Sequence, residues 1–350
     1  MPRDRRGARL DRDGAIVKAL VTGATGFLGG AVVKRLEARG VRVRALVRDR
    51  ARAAARLPQA ELAEGDLSQP QTAVAALEGC DVLFHIGALV KRKAPKSQFD
   101  LVNVTATQAL IDAAERKGIR SIYTSSFFAL GPSDGLPGGR SPQSPMCELA
   151  PHTDYERTKR DADRALETSR RRGAPTVTLY PGVLYGPGEM TEANLVVALL
   201  RDFFAGKVPG LPGGGAKTWC YALVDDVADA HVAALEKGEP GSRIALPGEN
   251  ATGARFFEVV QELTGRKPPR LALPIPAVWV AGAAEEAIAS LAGREPKLTR
   301  SEALTYAHDW ALDGSLGARV LGARYTPLRD GLAQTLAWMK EREPALFAKP

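Results

Sequence analysis

The chain has little cysteine: Cys80, Cys147 and Cys220 are its only three in 350 residues. They are far apart, odd in number and fit no C-x-x-C spacing. That argues against a disulfide scaffold or a zinc site and for a reducing compartment. Long apolar runs are missing too. The most hydrophobic stretch, residues 275–292, is interrupted by Glu285 and Glu286 and reads as an amphipathic or buried helix, not a membrane span. There is no internal repeat and no low-complexity tract. The opening MPRDRRGARLDRDG lacks the apolar segment of a secretory signal, and Asp4, Asp11 and Asp13 weaken a transit-peptide reading. Residues 1–15 are expected to form a disordered extension. These absences predict a cytoplasmic protein with no metal.

What is present is ordinary for a globular protein, with 45% hydrophobic and 25% charged residues. The formal net charge of +8 raises nucleic acid or a membrane surface as partners. No nucleic-acid recognition motif accompanies it. Arg3, Arg5, Arg6, Arg9 and Arg12 belong to the extension. Arg42, Arg44, Arg48, Arg50 and Arg52 crowd one strand-to-helix region, which suits a dinucleotide phosphate better.

From residue 16, strand-like and helix-like segments alternate. Apolar runs at 16–22, 41–47, 82–86, 121–124 and 176–180 read as buried parallel strands. Residues 27–39 and 104–117 have helical spacing, and Gly40 stops the first. This rhythm implies right-handed crossovers and a doubly wound α/β sheet of Rossmann type, with ligands at the carboxyl ends of the strands. After about residue 185 the rhythm breaks. Residues 206–215 are dense in Gly and Pro and read as loop. A helix at 225–237 and a strand at 243–246 follow. The expected organisation is a nucleotide-binding domain over 16–184 and a smaller, mostly helical substrate lobe over 185–350, interleaved with the last strands and helices of the sheet.

Thr22-Gly23-Ala24-Thr25-Gly26-Phe27-Leu28-Gly29 joins the first strand to the first helix. Gly23 suits a tight turn, Gly26 lets backbone approach a pyrophosphate, and Gly29 lets the helix pack closely on the sheet. The helix start around Thr25, Phe27 and Leu28 offers N–H groups to phosphate. At the second strand's end Arg48 follows Val47, and a guanidinium there can pair with a ribose 2′-phosphate. This predicts NADP over NAD. The alternative leaves Arg48 on the adenine or exposed, with Asp49 taking the ribose hydroxyls. Asp66, before Leu67, can cap a helix.

Tyr155 and Lys159 stand at i and i+4 of one helical face. Ser126 ends the strand 29 residues earlier. A nearby ammonium favours the phenolate of a Tyr, which can then move the proton of an alcohol or carbonyl. Ser126 can hold the substrate oxygen, with Ser125 as its rival.

The G-x-x-G-x-x-G spacing with TGATGFLG, and the order Ser126, Tyr155, Lys159, resemble the extended short-chain dehydrogenase/reductase superfamily. The blocks YTSSFFALGPSDG, YPGVLYGPGEMTEAN and VDDVADAHVAALEKG resemble its farnesol dehydrogenase and dihydroflavonol-4-reductase-like branch. The resemblance implies Ser/Tyr/Lys catalysis with Lys159 also on the nicotinamide ribose. It implies cofactor contacts at Ala88, Pro181 and Val183, Asp66 and Leu67 at the adenine with Asp66 accepting from its amino group as the alternative to a helix cap, and Asn103 ordering water or backbone. Its plant members are associated with NAD, which opposes the reading of Arg48. It further implies an apolar alcohol or carbonyl as substrate, farnesol-like or dihydroflavonol-like, and a homodimer through the helices at 104–117 and 155–172.

Nucleotide-sugar relatives commonly carry Arg-Asp where this chain has Trp219-Cys220, and Arg where it has Tyr180. Both changes remove polar grips and add aromatic surface. Phe127, Phe128, Tyr185, Trp219, Tyr221 and Trp279 are candidates to line an apolar pocket; each could instead be ordinary core. Two other functions compete: a nucleotide-sugar epimerase or dehydratase with tightly bound NAD, and a non-enzymatic cofactor-binding redox sensor. The intact Ser126, Tyr155 and Lys159 argue against the sensor.

Overall fold

A computed structural model describes residues 17–188 and 194–348; the expected extension at 1–15 lies outside them. The strands are β1 (Lys18–Thr22), β2 (Arg42–Val47), β3 (Glu61–Glu64), β4 (Val82–His85), β5 (Arg120–Thr124), β6 (Thr176–Pro181), β7 (Val183–Tyr185), β8 (Gly210–Pro212), β9 (Thr218–Leu223), β10 (Arg243–Leu246), β11 (Glu249–Thr252) and β12 (Leu271–Leu273). The longer helices are α1 (Phe27–Ala38), α2 (Ala106–Arg116), α3 (Asp154–Ala165), α4 (Leu195–Phe204), α5 (Val224–Lys237), α6 (Gly253–Thr264), α7 (Ile275–Leu291), α8 (Arg300–Thr305) and α9 (Leu328–Arg342).

Seven strands form one parallel sheet in the order β10-β6-β5-β4-β1-β2-β3. This is the expected Rossmann-type doubly wound fold. Its central strands are apolar and buried, because helices cover both faces. Val32, Val33 and Leu36 of α1 meet Val227 and Ala228 of α5 in one core. Arg35 ties the two helices, reaching Asp225 at 2.9 Å and Asp229 at 2.5 Å. On the other face Leu110, Ile111 and Ala114 of α2 join Ala162 of α3 over Leu20 and Leu83. Strand order reverses between β1 and β4, which opens a crevice at their carboxyl ends. A Cβ on Gly23 would lie 2.8 Å from the Gly87 backbone, so the two loops touch there.

The later chain builds a second sheet, β11-β9-β7, and a two-stranded pair, β12-β8. Aromatic residues of α4 and α6, among them Phe203, Phe204, Phe256 and Phe257, pack with Leu332 and Met339 of α9 into a separate core. The sheet's last strand, β10, also comes from this part of the chain.

Four expectations need correction. Residues 206–215 are not all loop: β8 lies there, stabilised by edge pairing with β12 that local composition does not reveal. The helix expected from 104 starts earlier, because Lys96–Phe99 and a π-helical turn at Asp100–Thr105 run into α2. The helix at 275–292 exists as α7, but only Val278, Gly282 and Ala289 are buried; it is neither amphipathic nor buried. Arg44 does not serve the adenine end. Its guanidinium is bound to Glu61 at 2.7 Å and to the carbonyls of Ala76 and Glu78, beside the loop that enters β4.

A Cβ at Gly29 would collide with the Gly23 carbonyl. Gly29→Ala should therefore destabilise the fold by about 1–3 kcal/mol, read as a lower urea midpoint. An unchanged midpoint would show that the loop yields without cost.

Candidate active site

Helix α1 begins at Gly26, which brings no capping side chain, and its first turn has no acidic residue. Its first N–H groups are thus left for an anion. Cβ atoms on Gly26 and Gly29 would crowd the Gly23 carbonyl, one on Gly23 would crowd Gly87, and one on Gly188 would meet the Phe27 ring at 2.8 Å. Such a cradle fits a dinucleotide pyrophosphate. The Thr25 carbonyl accepts from the Arg56 guanidinium at 3.3 Å. Arg48 is exposed just past the end of β2. Asp49 caps the next helix, accepting from the Arg52 N–H at 2.9 Å. Asp66 closes a local turn, its carboxylate accepting from the Ser68 N–H at 2.8 Å, and Leu67 lies against Gly87.

The candidate catalytic side chains converge where β5 meets α3. Ser126 follows β5 and caps the short helix Phe127–Leu130, accepting from the Phe128 N–H. Thr153 caps α3 by accepting from the Glu156 N–H at 3.1 Å, which fixes the first turn that carries Tyr155. Burial pushes the Tyr155 phenol up to about 12, and hydrogen bonding with Ser126 works the other way. Ser125 Oγ is buried and unpartnered among the described residues. Ser126 is thus the serine whose hydroxyl bears on the Tyr155 phenol.

Lys159 is buried one turn on. Its Nζ donates to the Thr124 carbonyl at 2.9 Å and lies 5.9 Å from the Tyr155 ring centre. Burial pushes this amine down to about 7.

Behind these residues runs a buried polar chain. Thr22 Oγ1 accepts from the Ile86 and Gly87 N–H groups at 3.1 and 3.0 Å and contacts His85 Nδ1 at 2.8 Å. His85 Nε2 contacts Thr107 Oγ1 at 2.9 Å, and Thr107 donates to the Asn103 carbonyl. Asn103 holds both backbone groups of Leu89 and donates to Thr158 Oγ1 at 3.1 Å. Asn103 thus orders backbone next to Ala88, as one of its expected roles required.

An aromatic wall adjoins Tyr155. Its ring meets Phe128 edge-on at 6.2 Å; Phe128 stacks on Phe127 at 4.0 Å and meets Trp310 at 4.8 Å. Trp219 contacts Phe127, Phe128, Tyr306 and Trp310, all within 6.4 Å. Tyr306 and Trp310 were not anticipated; they lie 150 residues beyond the motifs, and only the fold brings them here. Tyr221 stacks on Phe256, and Tyr185 is fully buried beneath Gly331, so both sit in the lobe's core. Pro181 and Val183 adjoin where β6 passes into β7.

Tyr180 corrects the substrate argument. It is fully buried, its hydroxyl donating to Asp163 at 2.6 Å and accepting from Arg243 at 2.9 Å. It adds no aromatic surface to a pocket. Cys220 is fully buried as well. Tyr180 and Cys220 share the core beneath Phe127 and Trp310, and of the three exchanged positions Trp219 joins the wall by ring contacts.

The description "NAD dependent epimerase/dehydratase family" matches residues 19–246. The sterol demethylase protein B of Methylococcus capsulatus is 32% identical over 329 residues, covering 92% of this chain and 98% of that protein. The crystal structure of gox2253 superposes with a TM-score of 0.74 at 32% identity, over 94% of this chain and 99% of its own. MoeE5 in complex with UDP-glucuronic acid and NAD gives a TM-score of 0.70 at 26% identity, over 93% and 99%.

Lys159 supplies a stability test. Its folded value near 7 lies below its ordinary 10.5, so between these pH values the unfolded chain binds more protons. Its contribution should make stability rise from pH 7 toward 10.5. Lys159→Met should flatten that slope in urea midpoints taken across the range; an identical slope would refute the buried amine.

Proposed function

The chain belongs to the NAD dependent epimerase/dehydratase family, and on that premise we propose that it moves a hydride between a nicotinamide dinucleotide and an apolar alcohol or its carbonyl. A nicotinamide dinucleotide, when bound, supplies the hydride acceptor or donor. The glycine cradle and the open end of α1 would hold its pyrophosphate, and Arg48 a 2′-phosphate. Every other step falls to side chains of this protein.

Tyr155 exchanges the proton of the substrate oxygen, and Ser126 donates a hydrogen bond to that oxygen and aligns it. With the phenol up near 12, Tyr155 is protonated at neutral pH and ready to give its proton to a carbonyl. Oxidation of the alcohol needs the phenolate, which a protonated Lys159 favours. The observation that carries the substrate class is the aromatic wall of Phe128, Trp219 and Trp310 meeting Tyr155. A sterol-related relative agrees with it. The likeness to MoeE5 bound to a UDP-sugar supports a nucleotide sugar instead.

A panel of farnesol, geraniol, dihydroflavonol and UDP-glucose, followed by nicotinamide absorbance, separates the two. Turnover on the apolar compounds is expected, and turnover on UDP-glucose alone would overturn the reading. Tyr155→Phe should lower kcat by about 10²–10⁴-fold while cofactor affinity holds. Arg48→Glu should lower kcat/KM for NADP at least about tenfold and spare NAD, since a lost charge-assisted pair is worth 1.5–3 kcal/mol. Equal loss with both cofactors would remove Arg48 from 2′-phosphate recognition.

A further inference from the structure

Helix α7 is apolar on both sides, yet the fold covers only one. Such helices are normally enclosed by protein or lipid. Its inner side packs through Val278, Gly282 and Ala289, with Gly282 admitting the backbone at residues 299–300. The helix's only charges, Glu285 and Glu286, are bound to Arg294 at 2.6 Å and Arg300 at 2.8 Å. Ala277, Val280, Ala281, Ala284, Ile288 and Leu291 recur every three or four residues along the outer side, and all are exposed. Val280 is 61% exposed, Ile288 55% and Leu291 91%. An uninterrupted apolar stripe of four turns therefore faces outward.

The surroundings of this stripe are basic. Glu295, just past the end of α7, accepts from the Arg92 N–H at 3.0 Å, and the Arg92 guanidinium reaches Glu302 of α8 at 2.8 Å. The loop holding Arg92 is thereby fastened beside α7. Lys91 and Lys93 flank it, exposed and without an ion pair among the described residues. Lys297, also exposed, is held near α7 by its N–H bond to Glu285 at 2.8 Å.

We propose that α7 and its lysine rim dock this protein on the surface of an anionic lipid bilayer. The apolar stripe enters the headgroup boundary and the lysines meet lipid phosphates. A second copy of the chain fits less well: parallel pairing along α7 would bring the two lysine clusters at its C-terminal half together, and antiparallel pairing would leave each without an anionic partner. No described helix is long and apolar enough to cross a membrane, so the contact is with one face of the bilayer. Helix α8 packs on α7 and leads directly into Tyr306 and Trp310. The docking surface is thus one short helix away from the aromatic wall.

The test is cosedimentation of the full chain with vesicles, without substrate, so that its outcome does not depend on the proposed reaction. Phosphatidylcholine vesicles are compared with vesicles containing about 30% phosphatidylglycerol, whose charge the lysines should read. Binding is expected on the anionic vesicles and should weaken in high salt. Val280→Glu with Ile288→Glu should abolish it while thermal unfolding stays unchanged. Lys91→Glu with Lys93→Glu should reduce it by about fivefold per lysine or more. Absence of binding, or binding that both variants retain, would overturn the proposal. So would a dimer in sedimentation velocity that the α7 variant dissolves, because a second copy would then cover the stripe.

Discussion

The hydrogen-bond chain behind the candidate site has one permitted arrangement, and the alignment of the glycine loop with helix α3 depends on it. A threonine hydroxyl has one proton and two lone pairs. Thr22 spends both lone pairs on the Ile86 and Gly87 N–H groups, so its proton goes to His85 Nδ1. His85 must then carry its proton on Nε2 and give it to Thr107, which donates onward to the Asn103 carbonyl. The Asn103 side chain clamps Leu89 and reaches Thr158 of α3. The end of β1, the loop after β4 and the helix of Tyr155 and Lys159 are locked to one another by donors that cannot be reversed.

That lock requires a neutral His85, and its surroundings enforce neutrality. Burial and the nearby Lys159 push the imidazole down to about 3. A proton on Nδ1 would face the Thr22 hydroxyl proton and force it away from both amides. His231 shows the same economy across the sheet: its Nδ1 donates to the Val227 carbonyl, leaving Nε2 to accept from Thr124. Thr124 in turn offers its carbonyl to Lys159. Two buried neutral histidines therefore brace the strand ends around the Lys159 amine. The π-helical turn at Asp100–Thr105 is part of the arrangement, since it carries Asn103 inward between Leu89 and Thr158. Such turns commonly mark functional positions.

What could be read from the sequence was what local rules determine. Buried parallel strands are near-continuous apolar runs, so β1, β2, β4, β5 and β6 were legible. The glycine loop and the Tyr155/Lys159 pair are fixed by spacing within one turn or one helix. Contacts between distant segments were not legible. Tyr180 was read as added aromatic surface because it stands where nucleotide-sugar relatives carry Arg, but its hydroxyl, bound between Asp163 and Arg243, holds it inside. Arg44 was read as cofactor-facing because it is basic and near Arg48. Strand direction places it three residues before the carboxyl end of β2, where Glu61 neutralises it. Tyr306 and Trp310 had no local signal, because an aromatic wall assembled from three separate segments has no spacing rule.

The exposed stripe of α7 makes the same point from the other side. Composition marked the segment as apolar, and an apolar helix in a globular chain is ordinarily core. Only the fold shows that its inner side is already filled and its two carboxylates already paired. The remaining face is then an excess that packing does not explain. On α6, by contrast, apolar side chains such as Phe256 and Val260 are fully buried. Four uncovered turns beside α8, which leads to the aromatic wall, are better understood as surface retained for contact than as core left unfinished. The same property then links both ends of the lobe: apolar side chains adjoin Tyr155 and face outward at α7, with the Tyr306–Trp310 segment between them.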